Sequence, residues 1–145
     1  MKKIIILLVF LIIPIVFYSF ASNFYGGKDS VNGVYLSADA ALEDGIETNY
    51  GFIKQVEIGN IKKYYRNNKI LGEYFETSIK DFSINEFAKK MGLVVLKRTY
   101  LENSENIYAY SAQSPYKLAG ENFNIQINIS NEKVIIATPI IFGSF

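Results

Sequence analysis

The chain has no cysteine and no histidine. Without cysteine no disulfide can staple it, and thiolate nucleophiles and zinc–thiolate sites are excluded. Without histidine it lacks the commonest general base, the usual zinc ligand and the side chain that titrates near neutrality. Cys–His and Ser–His–Asp catalysis therefore fall away. Charge of one sign is also scarce. Fifteen Lys and Arg stand against fourteen Asp and Glu, a formal net charge of +1 that becomes −1 when Lys2 and Lys3 are set aside. That balance is no footprint for nucleic-acid binding. No phosphate loop, serine-nucleophile elbow, metal-ligand pair or paired-carboxylate spacing stands out, so no cofactor and no catalytic residue is assigned. A hydrolase using Ser–Lys or carboxylate chemistry is the remaining enzymatic alternative, with no local signature behind it.

The opening segment, MKKIIILLVFLIIPIVFYSFAS, is positive at Lys2 and Lys3 and then apolar from Ile4 to Ala21 apart from one serine. At ~1.5 Å per residue, an apolar helix of this length spans ~27 Å, close to the ~30 Å hydrocarbon core of a bilayer. The same segment ends in Ser19-Phe20-Ala21, the small-x-small form that a signal peptidase reads. It is read either as a single-pass anchor with the C-terminal domain outside, or as a signal peptide cleaved near Ala21. Both place the rest of the chain beyond the cytoplasmic membrane. The membrane, through residues 4–21, is the first expected partner. The expected organisation is 1–21 as signal peptide or anchor, 22–51 as connector and amphipathic helix, and 52–145 as an extracytoplasmic domain.

Val31, Val34, Tyr35, Ala38, Leu42, Gly45 and Ile46 recur at helical spacing, which predicts an amphipathic helix over Ser30 to Thr48. Its acidic stripe, Asp39, Glu43, Asp44 and Glu47, reads as a solvated face rather than a calcium site, because calcium needs oxygens converging from a loop. Phe52 to Ile58 alternates as a short strand. Helical spacing returns through Ile61, Tyr64, Tyr65, Leu71, Phe75 and Phe82. Ser83-Ile84-Asn85-Glu86 is a capping box, with Phe82 and Phe87 at the staple positions and Gly92 as the stop, so a helix is predicted over Ile84 to Met91.

Four strands are expected after that helix. Leu93 to Tyr100 is β-rich, Glu102 to Asn106 reads as a turn, and Ile107 to Ala112 follows. Phe123, Ile125, Ile127 and Ile129 alternate with Asn122, Asn124, Gln126 and Asn128, the pattern of a strand with one apolar and one solvated side. Lys133 to Ile141 is apolar on both faces and therefore covered. Pro139 cannot donate to a ladder, so it belongs at a bulge or where the strand leaves the sheet. The predicted fold class is α+β: an N-terminal membrane helix, amphipathic helices, then an antiparallel meander of about four strands in a two-layer domain.

Two candidate interaction clusters emerge. Lys62, Lys63, Arg66 and Lys69, interleaved with Tyr64 and Tyr65, are suited to anionic lipid or wall polymer, or form an ordinary solvated face. Arg98, Tyr100, Tyr108 and Tyr110 alternate within their strands and are expected to share one sheet face, where aromatics with an arginine can stack on a ligand.

The stretch Asn124-Ile-Gln-Ile-Asn-Ile129 followed by Val134-Ile-Ile-Ala-Thr-Pro-Ile-Ile141 resembles the C-terminal end of the YwmB-like family of exported bacterial proteins. Ser111-Ala112 and Asn85-Glu86-Phe87 sit in suggestive places for the same family. That resemblance implies a TATA-box-binding-protein-like α+β fold and supplies no activity. Ala137 stands where a glycine is usual and Phe145 where a tyrosine is common. The plan of the chain also resembles pilin-like subunits, although the Gly–Glu processing pattern is missing. The expected function is a non-enzymatic, membrane-tethered extracytoplasmic domain that binds another bacterial cell-envelope component or itself. The alternative is a pilin-like or secretion-apparatus assembly subunit.

Overall fold

A computed structural model describes residues 31–36, 46–48, 51–55 and 70–141. Eight strands form one antiparallel sheet: β1 (Val31–Leu36), β2 (Ile46–Thr48), β3 (Gly51–Gln55), β4 (Ile70–Ser78), β5 (Val94–Leu101), β6 (Ser104–Tyr110), β7 (Ile125–Ser130) and β8 (Lys133–Thr138). Their spatial order is β2-β3-β1-β4-β8-β7-β6-β5. One α-helix, α1 (Ile84–Met91), lies between β4 and β5 in the chain.

The α+β expectation of helices followed by about four strands is thus corrected to an eight-stranded sheet carrying one α-helix among the described residues. The predicted helix over Ser30 to Thr48 is instead β1 and β2, with residues 37–45 outside the described set. Valine, tyrosine and glycine are weak helix formers, and β1 gains ladder partners on both flanks, so pairing overrides the period. The second helical spacing fails for the same reason where it can be read: Ile70 to Ser78 is a strand between β1 and β8. The sheet also draws strands from both sides of residue 51, so the 22–51 and 52–145 segments contribute to one structure.

The membrane and signal-anchor expectation finds no support here. Among the described residues no helix is long and apolar enough to cross a membrane. Helix α1 has eight residues, where a span needs about twenty. Residues 1–21, on which that expectation rested, lie outside the described residues.

Helix α1 forms where its local signals put it. The Ser83 hydroxyl accepts from the Glu86 N–H at 3.4 Å. The Phe82 and Phe87 rings meet at 5.7 Å as the staple. Gly92 ends the helix in the left-handed region, at φ 58°, where a Cβ is unfavourable. Its buried side chains, Phe87 and Met91, join Phe75, Ile107, Ile127 and Ile136 in the core. Those four are direct ladder neighbours across β4, β8, β7 and β6, so they line one face of the sheet. We call this the helix face.

The connection 111–124 crosses the same face. The Ser111 hydroxyl donates to the Met91 carbonyl at 2.6 Å. The hydroxyls of Ser114 and Thr138 hydrogen-bond each other, and the Tyr116 hydroxyl donates to Glu73 Oε1 at 2.9 Å. β8 ends at Thr138, so Pro139 stands where the strand leaves the sheet, after a cis peptide bond.

Candidate functional site: the outer strand of the sheet

Among the described residues, the exposed large hydrophobics concentrate on the β5 side of the sheet. β5 follows α1 directly and returns into β6 through the two-residue turn Glu102-Asn103. Among the described residues its only ladder partner is β6. Among the described residues, one flank of its backbone therefore carries N–H and C=O groups with no strand beside them.

Much of β5 is exposed and apolar. Val94 is 56 % exposed, Tyr100 71 % and Leu101 58 %, and Val95, Leu96 and the adjoining Tyr110 are also exposed. These six are most of the large exposed hydrophobics among the described residues; the others are Leu71 and Ile46, the latter on β2 at the opposite edge. A strand apolar on both faces is the pattern of a covered interior strand. β5 approaches that pattern at Val94 to Leu96 and at Tyr100 and Leu101, is interrupted by Lys97, Arg98 and Thr99, and stands at the margin.

Two features temper the edge. A register shift between Val95 and Lys97 marks a bulge, and Lys97 adds a charge; both are devices that discourage indiscriminate pairing. Beyond the bulge, Lys97 to Leu101 pair residue by residue with β6 as far as Ser104.

The ladder divides the predicted aromatic cluster. Arg98 faces Ile107 and Tyr100 faces Glu105, on the helix face. Tyr108 faces Lys97 and Tyr110 faces Val94, on the opposite face. The reason is the turn. A loop of odd length, such as the five residues expected at Glu102 to Asn106, sets even-numbered residues opposite even-numbered ones. The two-residue turn actually present sets even against odd. On the helix face Arg98 Nη1 meets Glu105 Oε1 at 2.7 Å, and that hydrogen bond raises the arginine pKa above its ordinary value. On the other face the Lys97 ammonium lies 5.8 Å from the Tyr108 ring centre, and Tyr108 stands edge-on to Phe123 at 5.0 Å. Lys62, Lys63, Arg66 and Lys69 lie outside the described residues.

Of the amides expected on the solvated side of that strand, Asn122 is exposed but Asn124, Gln126 and Asn128 are buried. Gln126 Nε2 and Asn128 Nδ2 both donate to Asn106 Oδ1, at 3.3 and 3.0 Å, and Gln126 Oε1 accepts from the Ile141 N–H at 3.0 Å. These amides satisfy one another and present little to a ligand. Glu73 is fully buried beside Thr138 and orients Tyr116. Among the described residues no three His, Cys, Asp or Glu side chains converge as a metal site.

Sequence reasoning named Arg98 and Tyr100 but passed over Val94, Val95, Leu96 and Leu101. Their signal was present. VVLKRTYL is apolar at both alternations, yet nothing in the sequence says which strand ends a sheet.

No family model, curated protein or solved structure matches the chain.

Proposed function

We propose that the protein is a non-enzymatic binding module working outside the cytoplasm, which engages another component of the cell envelope or a second copy of itself by strand addition to β5. The observation that carries this reading is an eight-residue outer strand that has no ladder partner on one flank among the described residues and exposes apolar side chains on both faces. Strand addition takes its affinity from main-chain hydrogen bonds and its selectivity from alternate side chains, so it needs no cavity and no catalytic group. The export half of the reading rests on Lys2, Lys3, the apolar residues 4–21 and the small-x-small triplet at Ser19 to Ala21. The alternative, an assembly subunit, draws on the same open strand, since subunits joined through sheet edges need one.

Photo-crosslinking residues at Leu101 and, separately, at Lys80 test the reading in cells. Leu101 is expected to give a discrete adduct, and Lys80, exposed on the 3-10 turn after β4, is expected to give none. Adding Leu96→Lys should weaken the Leu101 adduct while leaving the fold intact, because Leu96 is already exposed. Absence of any adduct at Leu101 under all growth conditions refutes the proposal.

A further inference from the structure

We infer that the strand added to β5 is β5 of a second copy of this chain, paired antiparallel about a two-fold axis normal to the sheet, with Thr99 facing its own counterpart. The inference rests on the reading of β5 as a docking strand and names the occupant.

The geometry restricts the register. A two-fold axis normal to the sheet carries each face onto the same face of the copy, and directly opposed residues lie on one face. One residue of β5 must therefore stand opposite itself. The bulge between Val95 and Lys97 breaks regular pairing at its N-terminal end and leaves Lys97 to Leu101 as the regular stretch. A pairing that uses all five residues is centred on Thr99.

Charge disfavours two neighbouring registers. Centring on Lys97 or on Arg98 sets two like charges directly opposite, which destabilises a ladder. Centring on Thr99 sets Arg98 opposite Tyr100 of the second copy, twice by symmetry, so each guanidinium meets an aromatic ring. It sets Lys97 opposite Leu101 of the second copy, where the lysine stem lies along an apolar side chain and the ammonium remains in water. The two threonines form a favourable cross-strand pair. Arg98 keeps Glu105 on its other flank, so its charge is already balanced within its own hairpin. The combined sheet gives β5 a strand on each side and covers part of its exposed apolar surface.

The absence of native cysteine makes the register directly readable. Opposed residues in an antiparallel pair have Cα atoms about 4.5–5.5 Å apart, within the disulfide range of roughly 4.4–6.8 Å. In the Thr99-centred register the two Leu101 residues are four positions out of step, about 13 Å along the strand. Full-length chains carrying Thr99→Cys or Leu101→Cys are treated with a mild oxidant in intact cells. Thr99→Cys should run mostly as a reducible dimer, and Leu101→Cys should form at least tenfold less. Mixed chains carrying Lys97→Cys and Leu101→Cys should join as a heterodisulfide, a second route at two exposed positions should the Thr99 variant fold poorly.

The inference is overturned if these pairs stay monomeric, if Leu101→Cys crosslinks as readily as Thr99→Cys, or if Tyr100→Cys is the preferred site. The photo-crosslinker at Leu101 separates the two levels of the argument. An adduct of twice the chain mass supports the self-pairing. An adduct of another mass overturns the self-pairing while sparing the docking strand, and no adduct overturns both.

Discussion

Replacing Asn124 by alanine is expected to be among the most damaging single changes to an uncharged residue of the described structure. Asn124 precedes β7 and its side chain acts as a ladder partner for Ser111. Its Oδ1 accepts from the Ser111 N–H at 2.8 Å, and its Nδ2 donates to the Ser111 carbonyl at 2.8 Å. Both residues are buried, so water is poorly placed to replace either bond. Alanine orphans one donor and one acceptor in the interior. Each such group costs about 1–3 kcal/mol, which gives roughly 2–6 kcal/mol for the pair. Ser111 also holds the last turn of α1 through its hydroxyl on the Met91 carbonyl, so loss of the clamp loosens the helix from the sheet. Against a total stability of about 5–15 kcal/mol, this is a large fraction. Urea unfolding followed by circular dichroism measures it, with Asn122→Ala, at an exposed position two residues away, as the control expected to change stability by less than about 0.5 kcal/mol. A loss below about 1 kcal/mol for Asn124→Ala refutes the orphaned-group reasoning.

Three further outcomes are expected. Gly72→Ala should cost about 1–3 kcal/mol or prevent folding, because the new Cβ falls 2.2 Å from the Thr138 carbonyl oxygen, which is backbone and cannot swing aside; a neutral thermal midpoint contradicts this. Burial, and secondarily the nearby Glu76 carboxylate, raise the Tyr74 pKa above the ordinary tyrosine value, so the folded state favours the neutral phenol. That contribution is intact below about pH 10 and is lost as pH rises through the folded pKa; unfolding midpoints from pH 8 to 11 should fall less steeply for Tyr74→Phe than for the parent chain. Glu105→Gln breaks an ion pair between partly exposed groups and should cost less than about 1 kcal/mol, with the difference shrinking in added salt; a loss above about 2 kcal/mol in calorimetry would show that the pair fixes the β5–β6 register.

The buried amides show how local and tertiary information part company. Alternation along Phe123 to Ile129 correctly separates two sides of a strand, and Ile125 and Ile127 do line the core. The same alternation assigns Gln126 and Asn128 to solvent, because polarity is read as exposure. In the folded chain Asn106 lies across the ladder from Asn128 and beside Gln126, and the three amides bond one another. Mutual hydrogen bonding makes their burial tolerable. Nothing in the β7 sequence reveals that Asn106 will be its neighbour.

What the sequence alone determines is strongest where the physics is local. The capping box at Ser83, the Phe82–Phe87 staple and the Gly92 stop specify α1 within a single stretch of chain, and the structure has the helix at those residues. The absence of cysteine and histidine excludes whole classes of chemistry whatever the fold. Tertiary structure decided the rest. Residues 31–36 and 70–78 carry parts of a helical period, and pairing with each other and with β8 made them strands. The two-residue turn at Glu102-Asn103 fixed the parity of β5 against β6 and sent Arg98 and Tyr100 to one face and Tyr108 and Tyr110 to the other. Which strand ends the sheet depends on the order of all eight, a property of distant pairings. That order left an apolar strand, β5, at the margin, where its open flank becomes the candidate site.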